Sequence, residues 1–266
     1  MSALAAYVEG VGLLGPGLTG WSTAAPVLAG RTSYVWATTV MPTPSALPAA
    51  ERRRSGLVVK LALGLGFEAS GHASRDPATL ATVFSSSGGD GHNCHEICQA
   101  LASADRQLSP TRFHNSVHNA AAGYWSIATG SMAPSTVLCA YDASFAAGLL
   151  EALAQVVVER NAVMLLAYDA GYPAPLHAKR PIHDAFGVAL VLTVVRSERS
   201  IVRLKAELTH RAAELSDDPQ LERLRLGVPA ARSLPLLSLL ARQQAGAVHL
   251  EYFDNSSLRV ETTPCS

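Results

Sequence analysis

Three observations predict an α/β fold, a sheet with helices on its faces, that ends in a divergent tail of helices and a β-hairpin. Between residues 6 and 195, short strand-like runs alternate with helical ones. One helical run is apolar on every side: after Asp142, the residues Ala143, Phe145, Ala146, Leu149, Leu150, Leu153 and Val156 leave only Glu151 and Gln155 clearly polar before Glu159. A helix without a solvated face is buried. Beyond Val195 the alternation stops; residues 204–214 and 234–244 read as amphipathic helices, and 247–262 as a hairpin turning at Asp254, Asn255, Ser256 and Ser257.

The elements follow in order. Residues 6–12 predict a strand, 14–20 a turn rich in glycine, 21–28 a helix, and 41–48 a proline-rich loop. Residues 49–70 open with Glu51, Arg52, Arg53 and Arg54 and keep helical spacing through Leu57, Leu61, Leu65 and Glu68. A strand at 80–87 runs into Gly88-Gly89-Asp90-Gly91, which lacks the Gly-Lys-Ser/Thr ending of a phosphate cradle. A helix follows at 93–104. In the segment 113–130, the small residues from Ala120 to Gly123 suit a helix that approaches its neighbours closely. From Pro134 to Ala152 a β-branched run, a polar break and a helical run read as strand, turn and helix. At the break, Asp142 suits the N-cap of the buried helix, where its side chain accepts free N–H groups and its charge meets the positive end of the dipole. Strands at 162–168 and 188–195 complete the alternation.

With 266 residues, 48% of them hydrophobic, the chain can bury one large core or two small ones, and its net charge of +0 argues against nucleic-acid binding. No basic region precedes an apolar stretch between Met1 and Tyr7, and no uninterrupted apolar run is long enough for a bilayer. A cytoplasmic protein without a membrane span is expected. Cys94, Cys98, Cys139 and Cys265 fit no secreted disulfide framework, so reduced thiols are expected. Cys94 and Cys98 lie one helical turn apart beside His95, a zinc-compatible spacing, but no second ligand pair accompanies them. Ordinary helix residues are the alternative, and no metal or other cofactor is expected.

Several landmarks keep a common order: Gly10-Val-Gly-Leu-Leu-Gly-Pro16, Trp21, Leu28-Ala-Gly30, Phe84-Ser-Ser-Ser-Gly-Gly89, Asn119, Ala122-Gly123, Gly130 and the segment from Pro134. In these the chain resembles the N-terminal half of β-ketoacyl synthases, and its tail resembles the short ketosynthase-like proteins called chain length factors. The resemblance implies a thiolase-like fold, a mixed sheet with helices on both faces and a buried central helix. It divides the chain into a synthase-like domain, 1–195, and a divergent tail, 196–266, packing on the same core. Gap-free registration from Pro134 to Ala152 puts the family's nucleophilic cysteine on Asp142. A shift of three residues would select Cys139, but Cys139 lacks the Thr-Ala-Cys-Ser/Ala context.

The substitution matters chemically. Condensation needs a thiolate at a helix N-terminus to hold the acyl chain as a thioester. An acyl-aspartate would be a reactive mixed anhydride, and a fixed carboxylate would repel malonyl groups. The family also draws two histidines, a lysine and a second oxyanion donor from a C-terminal half repeating the fold. After Val195 this chain has only His210 and His249, in neither expected context. A half-fold without its twin must cover the apolar face it would have presented, with its own tail helices or with another protein.

The implied role is a non-catalytic subunit in a heterodimer with an active β-ketoacyl synthase, limiting the length of a fatty-acyl, polyketide or aryl-polyene-type chain carried on acyl carrier protein. By resemblance, Thr136, Val137, Leu138, Cys139 and Ala140 form the strand that pairs across the dimer axis. Ser87, Asp90, Asn93, Cys94 and Ile97 would meet the end of the partner's acyl tunnel; a glycine turn capping a surface helix is the plainer reading. Arg52, Arg53 and Arg54 would hold carrier protein, or form a solvated face. His114 and His118 are expected to be hydrogen-bonding residues without a nucleophile to serve. Two other functions remain open: a stand-alone acyl-thioester hydrolase or decarboxylase using Asp142 with His118 or His114, and a carrier-protein binding module.

Overall fold

Strand-forming runs build a single sheet whose central strands β5 and β6 are buried on both faces. The computed structural model describes residues 4–253 and 255–265. In chain order the elements are β1 (Leu4–Gly15), β2 (Leu18–Thr19), α1 (Trp21–Leu28), α2 (Ala49–Arg54), α3 (Leu57–His72), β3 (Ala81–Ser85), α4 (Gly91–Ala102), α5 (Pro110–His114), α6 (Ala120–Thr129), β4 (Ser135–Leu138) and α7 (Ser144–Glu159). They continue with β5 (Val163–Asp169), α8 (Leu176–Lys179), β6 (Phe186–Thr193), β7 (Val202–Thr209), α9 (Pro219–Gly227), α10 (Leu234–Arg242), β8 (Gly246–Glu251) and β9 (Ser257–Pro264). Short 3-10 turns at Tyr141–Ala143 and Pro229–Ser233 lead into α7 and α10.

The sheet runs β4-β3-β5-β6-β1-β7-β9-β8. Its β4, β3 and β5 end is parallel and the remainder antiparallel, so the sheet is mixed. Alternation within β5 divides the core. Val163, Leu165 and Ala167 join the layer of α7, α1 and α10, while Met164, Leu166 and Tyr168 join that of α3 and α6. A strand covered on both faces reads as an unbroken apolar run, which is why its sequence showed no polar face. Glycines allow close helix packing, among them Gly10, whose Cβ would strike the Ala69 carbonyl of α3. A Cβ on Gly12 would strike the Leu65 carbonyl of α3, and one on Gly66 the ring of Trp125 in α6. The expected close approach at Gly123 does not occur; that position faces open space.

Several expectations are corrected. Residues 49–70 form two helices, α2 and α3, because the chain is extended at Ser55 and Gly56, where a Cβ on Gly56 would lie 2.5 Å from Asp90 Oδ2. Helix α7 is not buried all round. Phe145, Gly148, Leu149, Ala152, Leu153 and Val156 face the sheet, whereas Leu150, Glu151, Ala154 and Gln155 are half-exposed and Val158 is exposed. The continuous helical stretch Tyr141–Glu159 is long and apolar enough to cross a membrane by length and composition, and half of its apolar window is buried in the fold. Asp142, Glu151 and Gln155 interrupt that stretch, and its apolarity serves packing on β3 and β5.

Residues 204–214 are not a helix. Val202, Leu204 and Ala206 of β7 are buried and Arg203 and Glu207 exposed, a period of two; the spacing of Leu204 and Leu208 fits both periods. The hairpin is present as β8 and β9, with Asp254 of its expected turn outside the described residues. Helix α9 was not foreseen, although Asp218 at the N-cap and Pro219 in the first turn announce it. Tail strands β7, β9 and β8 extend the sheet beyond β1, and α9 and α10 pack in the core layer of α7.

Candidate functional site

Parallel strands end on the same side of a sheet, so the loops leaving β3, β4 and β5 gather there. Such a carboxyl edge is where α/β sheets place their ligands. Ser85 at the end of β3 donates to the Ser144 carbonyl at 2.6 Å, joining the first loop to the start of α7.

Asp142 lies in the turn that opens α7 but does not cap the helix, which has no side-chain cap. The N-cap reading gives way to ion pairing. Arg180 Nη2 is 2.8 Å from Asp142 Oδ1 and Arg232 Nη2 is 3.5 Å from Oδ2. Arg232 continues to Glu251 at 2.5 Å, Arg225 lies 3.5 Å from the same carboxylate, and Arg225 grips Glu222 through two bonds of 2.8 Å. That last pair holds the Glu222 carboxyl below its usual range. The Arg180 guanidinium also stacks over the Tyr141 ring, 3.6 Å from its centroid, beside a left-handed backbone at φ 52°. Both oxygens of this carboxylate are thus engaged by guanidiniums.

The histidines stand elsewhere. His118 Nε2 contacts the Ser86 carbonyl at 3.2 Å, His114 packs edge-on to Tyr124, and His249 Nδ1 lies 3.1 Å from Glu214. None of these partners is Asp142. Cys139 is exposed and lies past the end of β4 rather than within the strand. Of the five residues expected at the dimer strand, Thr136, Val137 and Leu138 belong to β4, while Cys139 and Ala140 follow it. Among the described residues β4 pairs only with β3, and its other edge is open. Gln155 of α7 donates to Thr136 Oγ1 at 2.9 Å beneath that edge.

The five tunnel-end candidates share one loop and helix but not one environment. Asp90 caps α4 by accepting from the Asn93 N–H at 2.9 Å. Asn93 is buried and donates to the Arg112 carbonyl at 2.8 Å, so it packs α4 on α5. Cys94 is exposed and Ile97 half-exposed. Burial, then the Cys98 thiol, pushes the Cys94 thiol up, which is the opposite of an activated thiolate. No group of three or more metal-ligating side chains occurs among the described residues. Arg53 and Arg54 line a cleft of about 480 Å³ together with Asp90, Asn93 and Arg112, so two sets that the sequence kept apart are neighbours. Arg52 is exposed at the rim of α2.

Sequence reasoning missed Asp169, Tyr172, Arg180 and Arg232. Asp169 ends β5, is 2% exposed, and accepts four hydrogen bonds: from the Ser87 N–H and hydroxyl at 2.8 Å each, the Ser86 hydroxyl at 3.2 Å and the Ala230 N–H at 2.9 Å. Burial outweighs these donors and raises its pKa to about 6. A polar residue closing an otherwise apolar strand was the signal available.

The sequence profile described as "Beta-ketoacyl synthase, N-terminal domain" matches residues 27–251. A chain in the structure of a ketosynthase in complex with its chain length factor from Xenorhabdus doucetiae is 22% identical, with a TM-score of 0.73 over 97% of this chain and 99% of that one. A chain of the ishigamide ketosynthase/chain length factor gives 0.73 at 16% identity, covering 98% and 100%. A chain from a type II polyketide acyl-carrier protein in complex with its ketosynthase gives 0.71 at 11%, covering 98% and 99%. Identities this low establish a shared thiolase-like ketosynthase fold. No curated protein matches the sequence.

Proposed function

The chain belongs to the β-ketoacyl synthase N-terminal domain family, and on that premise we propose that it is a chain length factor, a non-catalytic subunit of a cytoplasmic heterodimer with an active β-ketoacyl synthase. The observation that carries the proposal is that Asp142, which gap-free registration puts at the position of the family nucleophile, is held between Arg180 and Arg232. It offers neither a thiolate nor a free base, so condensation falls to the partner. Residues 196–266 would be the divergent tail of that subunit, packing on the same core. The open edge of β4 and the half-exposed face of α7 favour a partner there, since an unpaired strand edge invites pairing. Cys94 and Ile97 would close the end of the partner's tunnel, and Arg52, Arg53 and Arg54 would receive an acidic acyl carrier protein. The product would be a fatty-acyl, polyketide or aryl-polyene-type chain.

The test is copurification of the untagged chain with the ketosynthases of its own source, then assay of carrier-protein-bound products. We expect a one-to-one complex in which Ile97→Ala lengthens the product and Ile97→Trp shortens it. Acyl-thioester hydrolysis by the lone chain, with no complex formed, would sink the proposal.

A further inference from the structure

We propose that Asp169 and Tyr172 are positioning residues for chain length: they clamp the 86–91 loop from beneath and so set how far Cys94 and Ile97 reach toward the partner's tunnel. This rests on the chain-length-factor reading above and extends it to residues outside the candidate gate.

The clamp is built from both ends of the turn after β5. Asp169 Oδ1 takes all three loop hydrogen bonds, from the Ser86 hydroxyl and from the N–H and hydroxyl of Ser87. Ser86 Oγ in turn accepts the Gly89 N–H at 3.1 Å, carrying the hold to the middle of the loop. Tyr172 fills the space under the glycines. A Cβ on Gly88 would strike its hydroxyl, and one on Gly91 would lie 2.6 Å from its ring. The glycine-rich sequence is therefore a housing for Tyr172, which explains the motif without a phosphate. At the far end of the loop Asp90 caps α4, so a shift of the loop is delivered to the head of the helix that bears Cys94 and Ile97.

The two oxygens of Asp169 have separate duties. Oδ2 accepts from the Ala230 N–H, in the turn that also carries Arg232. Asp169→Asn therefore divides the clamp: its amide oxygen can keep the three loop bonds while its NH2 opposes Ala230. Asp169→Ala loses both.

The experiment measures, by mass spectrometry, the product lengths made from malonyl-loaded carrier protein by the copurified complex carrying Asp169→Ala, Asp169→Asn, Tyr172→Ala or Tyr172→Phe. We expect Asp169→Ala and Tyr172→Ala to move the main product by one or more extension units within a one-to-one complex, and Asp169→Asn and Tyr172→Phe to restore the unmodified length. A merely structural role would change yield without changing length. Should Asp169→Ala fail to fold, Tyr172→Ala and Ser87→Ala decide the matter. An intact complex whose product length ignores these variants overturns the clamp alone; failure of the unmodified chain to bind any synthase overturns the chain-length reading itself, and the clamp's role with it.

Discussion

Asp142 and Asp169 stand on neighbouring loops at one end of the sheet, and their negative charges are met by different means. The Asp142 side chain is 41% exposed and faces two guanidiniums that belong to a longer chain of ion pairs running through Glu251 and Arg225 to Glu222. Asp169 is almost wholly buried and is met only by neutral donors from two backbone N–H groups and two hydroxyls. The difference follows from desolvation. Around half-exposed Asp142, water shares the cost of bringing charges together, whereas around Asp169 a second ion would have to be stripped as well, and preorganised dipoles do the work instead. Asp142 is therefore the half-exposed end of an ion-pair chain whose arginines are largely buried, while Asp169 is bound into the backbone of two segments.

The largest expected effect sharpens this contrast. Asp169→Ala strands the Ser87 and Ala230 N–H groups, at about 1–3 kcal/mol each, and should lower stability by about 2–6 kcal/mol. Urea denaturation measures it, and a loss no greater than that of Asp142→Ala would erase the distinction between the two sites.

The second effect is the pH dependence of Asp169. Its carboxyl titrates near 3.8 when unfolded and about 6 when folded, so between those values the folded state holds more protons. Its contribution to stability then falls as pH rises through that window and levels off above it. At 1.36 kcal/mol per unit the change is about 3 kcal/mol. The stability difference between the unmodified protein and Asp169→Asn, measured from pH 4 to 7, should shrink by that amount as pH increases. A flat difference would mean that the site is wetter than its burial indicates.

Smaller still is Asp142→Asn. As an N-cap exchange it would be nearly neutral, but loss of a carboxylate between Arg180 and Arg232 should cost about 1–2 kcal/mol. The cost should diminish in high salt, because the site is partly exposed. A neutral result at low salt would return Asp142 to the role of a simple turn residue. The least effect on stability is expected from joint replacement of Arg52, Arg53 and Arg54 by Ala, within about 0.5 kcal/mol, since all three are exposed. Carrier-protein binding, measured by titration, should weaken in the same variant if these residues receive it.

Much of the fold was legible in local pattern. The helix at 21–28, the strand at β5 and the strand-turn-helix around Asp142 each carry a period or a turn signal that belongs to them alone. Strand β7 was not legible because Leu204 and Leu208, four apart, satisfy both a helix and a strand; only its place between β1 and β9 selects the strand. The candidate gate was visible as a glycine loop, yet the reason for its glycines was not. Tyr172 lies far along the chain from Gly88, and no spacing rule connects them.

The sequence by itself determined the α/β layering, the apolarity of α7 and the aspartate at its mouth, because these depend on side-chain period and on residue identity at a single position. The tertiary structure decided what that aspartate does and what holds the loop beside it. Arg180 and Arg232 come from a loop and a tail that meet Asp142 only when the sheet is complete, and Asp169 acquires its donors only when two distant turns are packed over the end of β5. Pairing across such separations is a property of burial and proximity in space, which a linear pattern does not encode.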